Sequence, residues 1–166
     1  MGKGIGGHQR AYEGATDEWL TPPELLRLLG DFDVDPCVPD KMPWRTAVLM
    51  ISRSEDGLSQ PWAGRVFLNP PYGPQTGTWL KRLADHANGI ALVFARTETA
   101  MFHAQVWRRA SALLFLEGRL HFHYATGERA ANNAGGPSVL VAYGEGNANL
   151  LASLSPKLGA FVRIVR

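Results

Sequence analysis

Short apolar runs separated by polar, Gly-marked or Pro-marked breaks recur along this chain, at residues 31–37, 47–51, 66–68, 90–95, 112–116, 138–143 and 160–165. Runs this short, rich in Val, Ile, Leu and Phe and bounded by turn residues, read as strands. The stretch 31–37 alternates apolar and acidic residues before meeting Pro36, so it predicts a strand that delivers Asp35 to its carboxyl end. Residues 120–124 alternate as a further strand should. Between the runs the spacing changes to that of helices. Thr21 is placed as an N-cap, Pro22 and Pro23 suit a first turn, and Glu24 completes a capping box ahead of Leu25, Leu26, Leu28 and Leu29; Gly30 ends that helix. Trp79, Leu80, Leu83 and Ala87 mark a helix over 75–87, Thr97 or Thr99 caps another over 100–110, and a third is predicted over 147–154. Strands alternating in part with helices predict a mixed α/β sheet, with a small all-β fold as the alternative. Residues 126–137 lack apolar periodicity and read as a long loop of the kind that carries function. The Gly-rich stretch 1–16 reads as a mobile arm preceding one domain over 17–166.

The most informative run is the shortest. Val66, Phe67 and Leu68 form a buried, β-prone segment that Pro70 and Pro71 forbid from continuing, since neither residue donates to a ladder. Residues before proline are driven out of the helical region, so Asn69 and Pro70 are both held extended. The strand end thus presents a side-chain amide, a carbonyl and, in Tyr72, an aromatic ring. A planar base with an exocyclic amine needs two acceptors for its two hydrogens and a π-face to stack on. Asn69 Oδ1, the Pro70 carbonyl and Tyr72 supply these. The competing reading is a plain turn, because Asn and Pro are common punctuation.

Composition narrows the setting. The 166 residues suit one domain, and 17 Lys and Arg against 15 Asp and Glu give a formal charge of +2, without the bulk polycationic signal of indiscriminate nucleic-acid binding. Cationic contacts must be local, with Lys3, His8 and Arg10, Lys81 and Arg82, Arg108 and Arg109, and Arg163 with Arg166 as candidates. The lone Cys37 excludes an intramolecular disulfide and a multi-cysteine metal site, and His121 and His123 lack acidic or Cys partners, so no metal is expected. No apolar stretch suggests a membrane span and the start does not resemble a signal peptide; a cytoplasmic location is expected.

Asn69-Pro70-Pro71-Tyr72 resembles the catalytic motif of S-adenosylmethionine-dependent amino-methyltransferases. Together with Gly4-Ile5-Gly6-Gly7-His8, Asp17-Glu18-Trp19-Leu20-Thr21-Pro22, Asp56-Gly57-Leu58, Arg96-Thr97 and Gly118-Arg119, it resembles the phage-type DNA N-6-adenine methyltransferases. That resemblance implies a Rossmann-like methyltransferase sheet with helices on both faces. It also implies methyl transfer from S-adenosylmethionine to the exocyclic amine of a flipped adenine in double-stranded DNA, in a phage or prophage setting. Asn69 and Pro70 then hold the amine while Tyr72 stacks on the base. Trp19, Thr21, Asp35, Pro36 and Asp56 become cofactor-site candidates, Asp35 pairing the α-ammonium and Asp56 the adenine amine. Pro71, Arg96 and Arg119 are candidates for substrate contact, and Asp40 is a weaker candidate for ribose. Where many such enzymes carry a Gly-rich loop, this chain has Cys37-Val38-Pro39-Asp40. Two alternatives share the motif: methylation of a protein glutamine amide, and a module that binds DNA or cofactor without turnover.

Overall fold

The structure is a computed structural model that describes residues 18–165; the proposed arm over 1–16, with Lys3, His8 and Arg10, and Arg166 lie outside the described residues. Among these residues, seven strands make a single mixed sheet in the order β2-β1-β3-β4-β6-β5-β7. The strands are β1 (Val34–Val38), β2 (Leu49–Ser52), β3 (Val66–Leu68), β4 (Gly89–Phe94), β5 (Ala112–Leu116), β6 (Ser138–Tyr143) and β7 (Gly159–Arg163). The helices are α1 (Pro23–Leu29), α2 (Thr76–His86), α3 (Ala100–Phe102) and α4 (Glu145–Leu158).

Strands β2, β1, β3 and β4 pair parallel, β6 runs antiparallel between β4 and β5, and β7 runs antiparallel to β5. The carboxyl ends of β1 to β5 therefore share one edge. The central strands β3 and β6 are buried throughout and read as continuous apolar runs, as strands covered on both faces must. One core packs Trp79, Leu80 and Leu83 of α2 with Phe102 and Val106 against one face. The other packs Leu25, Leu26 and Leu29 of α1 with Ala148 and Leu151 of α4 against the opposite face. Chain order takes β1 outward to β2 and then returns β3 to the other side of β1. A sheet with such a reversal leaves a crevice beyond the strand ends at that point.

Several expectations are corrected. Strand β1 begins at Val34 and runs through Pro36 to Val38. Its pairing with β2 steps from Asp35↔Met50 to Val38↔Ser52, three residues against two, and Pro36 sits in that bulge, where a missing N–H is tolerated. Helix α1 starts after Pro22, the residue in the N-cap position, so Thr21 makes no cap and the capping box with Glu24 does not form. Helix α3 has three residues, capped by Thr99, and passes into a π turn over His103–Trp107. Helix α4 is longer than expected and carries Pro156 in its last turn. Residues 120–124 form no strand; His123 makes isolated bridges to Leu20 and Arg129.

At the amino-terminal edge, Arg65 and Asn147 tie the layers together. Arg65 donates to the carbonyls of Leu29 and Asp31, stacks 4.1 Å over Phe32, and gives its Nε–H to Asn147 Oδ1 at 2.7 Å. Asn147, 3% exposed, donates in turn to the Tyr143 carbonyl and to Asn88 Oδ1. Asn147→Ala removes three hydrogen bonds and strands part of a half-buried guanidinium. It is expected to cost about 2–3 kcal/mol, read from the denaturant midpoint at unchanged slope.

Candidate functional site

A cavity of about 500 Å³ opens at the carboxyl edge where β1 and β3 meet, within the size range of small-molecule sites. Trp19, Thr21, Asp35, Asp56, Asn69, Pro70, Pro71 and Tyr72 all line it. Residues predicted from separate stretches of sequence thus converge on one space. Pro36 is buried behind the wall and contributes its backbone: a Cβ at Gly57 would lie 1.8 Å from the Pro36 carbonyl, so position 57 admits glycine alone. Arg96 and Arg119, the other candidates for substrate contact, do not line the cavity. Arg96 is exposed with its guanidinium 5.9 Å from the Phe94 ring centroid, and Arg119 reaches the Ala134 carbonyl at 3.4 Å. Asp40 is outside the cavity too, its carboxylate accepting from the Ser54 amide and hydroxyl, which hold it below the usual carboxylate range.

The chain stops being strand at Asn69, as the two prolines require. Asn69 Nδ2 donates to the Trp19 carbonyl at 2.7 Å, which fixes the amide so that Oδ1 is the other end. That Oδ1 is buried and has no partner among the described residues. No donor among those residues reaches the Pro70 carbonyl either. Thr76, at the start of α2, pins the turn by accepting from the Gly73 amide at 3.1 Å and donating to the Pro71 carbonyl at 2.8 Å. The Cys37 thiol donates to the Asn69 carbonyl at 3.2 Å; burial and the neighbouring Asp35 carboxylate keep it protonated, with a pKa well above its ordinary value. Two acceptors at one strand end thus have no donor among the described residues.

Tyr72 stands beside them, stacked on Phe94 with ring centroids 4.4 Å apart and edge-on to Phe122. Its hydroxyl is buried without a partner among the described residues, and burial raises its pKa. The useful part of this residue is the ring.

Asp35 forms the opposite wall. It is 4% exposed, accepts from Thr46 Oγ1 at 2.6 Å and from the Cys37 amide at 3.3 Å, and has no ion-pair partner among the described residues. Burial outweighs these hydrogen bonds and raises its pKa from 3.8 to about 6. At neutral pH this is an unbalanced buried anion, suited to a cation. Thr21, 2% exposed, adds a hydroxyl with no partner among the described residues. At the mouth Arg53 faces Glu18 at 3.9 Å.

Thr46, Thr76, Phe94 and Trp79 were not singled out as site residues from sequence. Thr76 had a local signal, a hydroxyl three residues after Gly73 at a helix start. Thr46, Phe94 and Trp79 had none, because their roles depend on partners brought together by the sheet.

Two measurements follow. Between pH 4 and 6 the folded chain keeps a proton on Asp35 that the unfolded chain has lost, so this group's contribution to stability falls as pH rises through that window. Above it the full cost is about 3 kcal/mol. Asp35→Asn is expected to remove this slope and to be more stable than the parent at pH 7, in chemical denaturation across that range. Tyr72→Phe removes an unpaired buried hydroxyl, so its unfolding midpoint is expected to equal or exceed that of the parent.

No family model, curated protein or solved structure matches the chain.

Proposed function

We propose that this protein is an S-adenosylmethionine-dependent DNA methyltransferase acting on the exocyclic amine of a flipped adenine, built on a Rossmann-like methyltransferase sheet. The observation that carries the reading is the buried Oδ1 of Asn69 and the Pro70 carbonyl at the end of β3, neither with a donor among the described residues. The strand order supports it, because a chain reversal at β1 and β3 puts the ligand crevice beside both Asp35 and Asn69.

The residues present fit the cofactor. Asp35 is a buried carboxylate with no cation of its own, which matches the α-ammonium of an amino-acid ligand. Thr21 and Trp19 line the same space, and Asp56 lies at its rim. When bound, S-adenosylmethionine supplies an electrophilic methyl group on a sulfonium. Asn69 Oδ1 and the Pro70 carbonyl accept the two N–H groups of the target amine, which enriches the nitrogen and directs its lone pair toward the cavity. Neither acceptor has to break a protein contact first, so the arrangement is preorganised. Tyr72, held by Phe94, offers a π-face for a base taken out of its stack, at an unstacking cost of a few kcal/mol. Arg96, exposed with its guanidinium 5.9 Å from the Phe94 ring centroid, is assigned to a phosphate beside that base.

Asn69→Ala is expected to leave the fold and cofactor affinity intact and to slow transfer roughly a hundredfold, about 3 kcal/mol for one preorganised contact. The assay is incorporation of labelled methyl into plasmid DNA, followed by digestion to nucleosides. Label in cytosine displaces the adenine assignment, and label in protein but not DNA favours a glutamine substrate. DNA binding with no turnover in parent and variant alike favours a binding module.

A further inference from the structure

Asp35 lines the cavity with a carboxylate that the protein supports sparingly. An ionised carboxylate has room for about four hydrogen bonds, two on each oxygen. Among the described residues Asp35 takes two, one on each oxygen: the Cys37 amide at 3.3 Å on Oδ1 and the Thr46 hydroxyl at 2.6 Å on Oδ2. The first comes from its own strand and is set by the backbone of β1. The second is the shorter, and it comes from outside that strand.

The sheet brings Thr46 to this point. The amides of Val48 and Leu49 donate to the carbonyls of Phe32 and Asp33 at 3.0 and 2.8 Å, which locks the lead-in to β2 against the lead-in to β1. Thr46, just before Val48, is 9% exposed and lines the cavity with Asp35. Facing an ionised carboxylate, which only accepts, its hydroxyl donates. The torsion that turns an Asp carboxylate about its Cβ–Cγ bond is broad, so a contact on one oxygen alone leaves the plane loosely set. A donor on each oxygen sets it, and with it the directions of the other lone pairs.

We infer that Thr46 is a positioning residue for the cationic end of the ligand: its hydroxyl sets the plane of the Asp35 carboxylate so that the acceptor positions not used by Thr46 and Cys37 meet the α-ammonium. The inference rests on the cofactor reading above. Thr46 acts through Asp35, and its contribution is geometry fixed before the ligand arrives, which spares the cost of ordering the carboxylate on binding.

The test is calorimetric titration of the full chain with S-adenosylhomocysteine and with its deamino analogue, which keeps the carboxylate and lacks only the α-amine. The parent is expected to prefer S-adenosylhomocysteine. Thr46→Val keeps the shape and removes the hydroxyl; it is expected to weaken S-adenosylhomocysteine roughly tenfold, the size of one hydrogen bond to a charged group, and to leave the deamino analogue at its parent affinity. Thr46→Ser returns the donor and is expected to return the preference. Thr46→Ala repeats the Thr46→Val measurement with a smaller side chain, so the result does not depend on one variant folding. Equal weakening of both ligands marks a merely structural Thr46 and overturns the inference, as does parent affinity for S-adenosylhomocysteine in Thr46→Val and Thr46→Ala. If the parent binds the two ligands equally, the ammonium assignment of Asp35 fails and the role of Thr46 with it, while the cofactor reading stands. Binding of neither ligand by the parent overturns that reading and this inference together.

Discussion

One hydrogen bond, from Asn69 Nδ2 to the Trp19 carbonyl, sets the character of the carboxyl edge. An amide has a donor end and an acceptor end, and committing the donor to Trp19 leaves the acceptor buried with no partner among the described residues. The bond can form because two prolines end β3 at Asn69 and because Leu20, paired with His123 in both directions, draws residues 18–21 across the strand ends. Thr76 and Cys37 then hold the main chain on either side of the amide. Four separate segments therefore determine where one oxygen points.

The two edges of the sheet show opposite electrostatic habits. At the amino-terminal edge, the Arg65 guanidinium is met by two carbonyls, an amide and an aromatic face, and Asn147 is satisfied at both ends of its amide. At the carboxyl edge, among the described residues, Asp35 has no cation partner and Thr21, Asn69, Tyr72 and Trp79 each keep an unpartnered polar atom.

Much of this was legible in the sequence because burial writes itself into composition. All seven strands fall on apolar runs, and the run before Asn69 stops where Pro70 and Pro71 demand. Residues 120–124 misled because the alternation is real, with Phe122 buried between more exposed histidines, while no neighbouring strand is available to make it a ladder. Thr21 misled because a cap and a cavity wall ask for the same hydroxyl, and Pro22 moved the helix start past it. The contacts that finish the site were out of reach for another reason. Thr46 meets Asp35 across 11 residues and Trp19 meets Asn69 across 50, and no local pattern encodes such a meeting.

The outer strand β2 has a consequence for how copies of this chain behave in company. It is a sheet edge with Leu49 49% exposed and Val48, just before it, 74% exposed, the kind of surface that recruits a foreign strand. Three features blunt it: its four-residue length, the bulge at Pro36 that disturbs its pairing with β1, and Arg45, whose guanidinium donates to the Val48 carbonyl. Arg45 thus occupies a backbone acceptor at the point where an intruding strand would begin, and places a charge there. Resistance to edge-to-edge pairing on this flank therefore rests on one arginine and one proline, and the same proline backs the wall of the cavity.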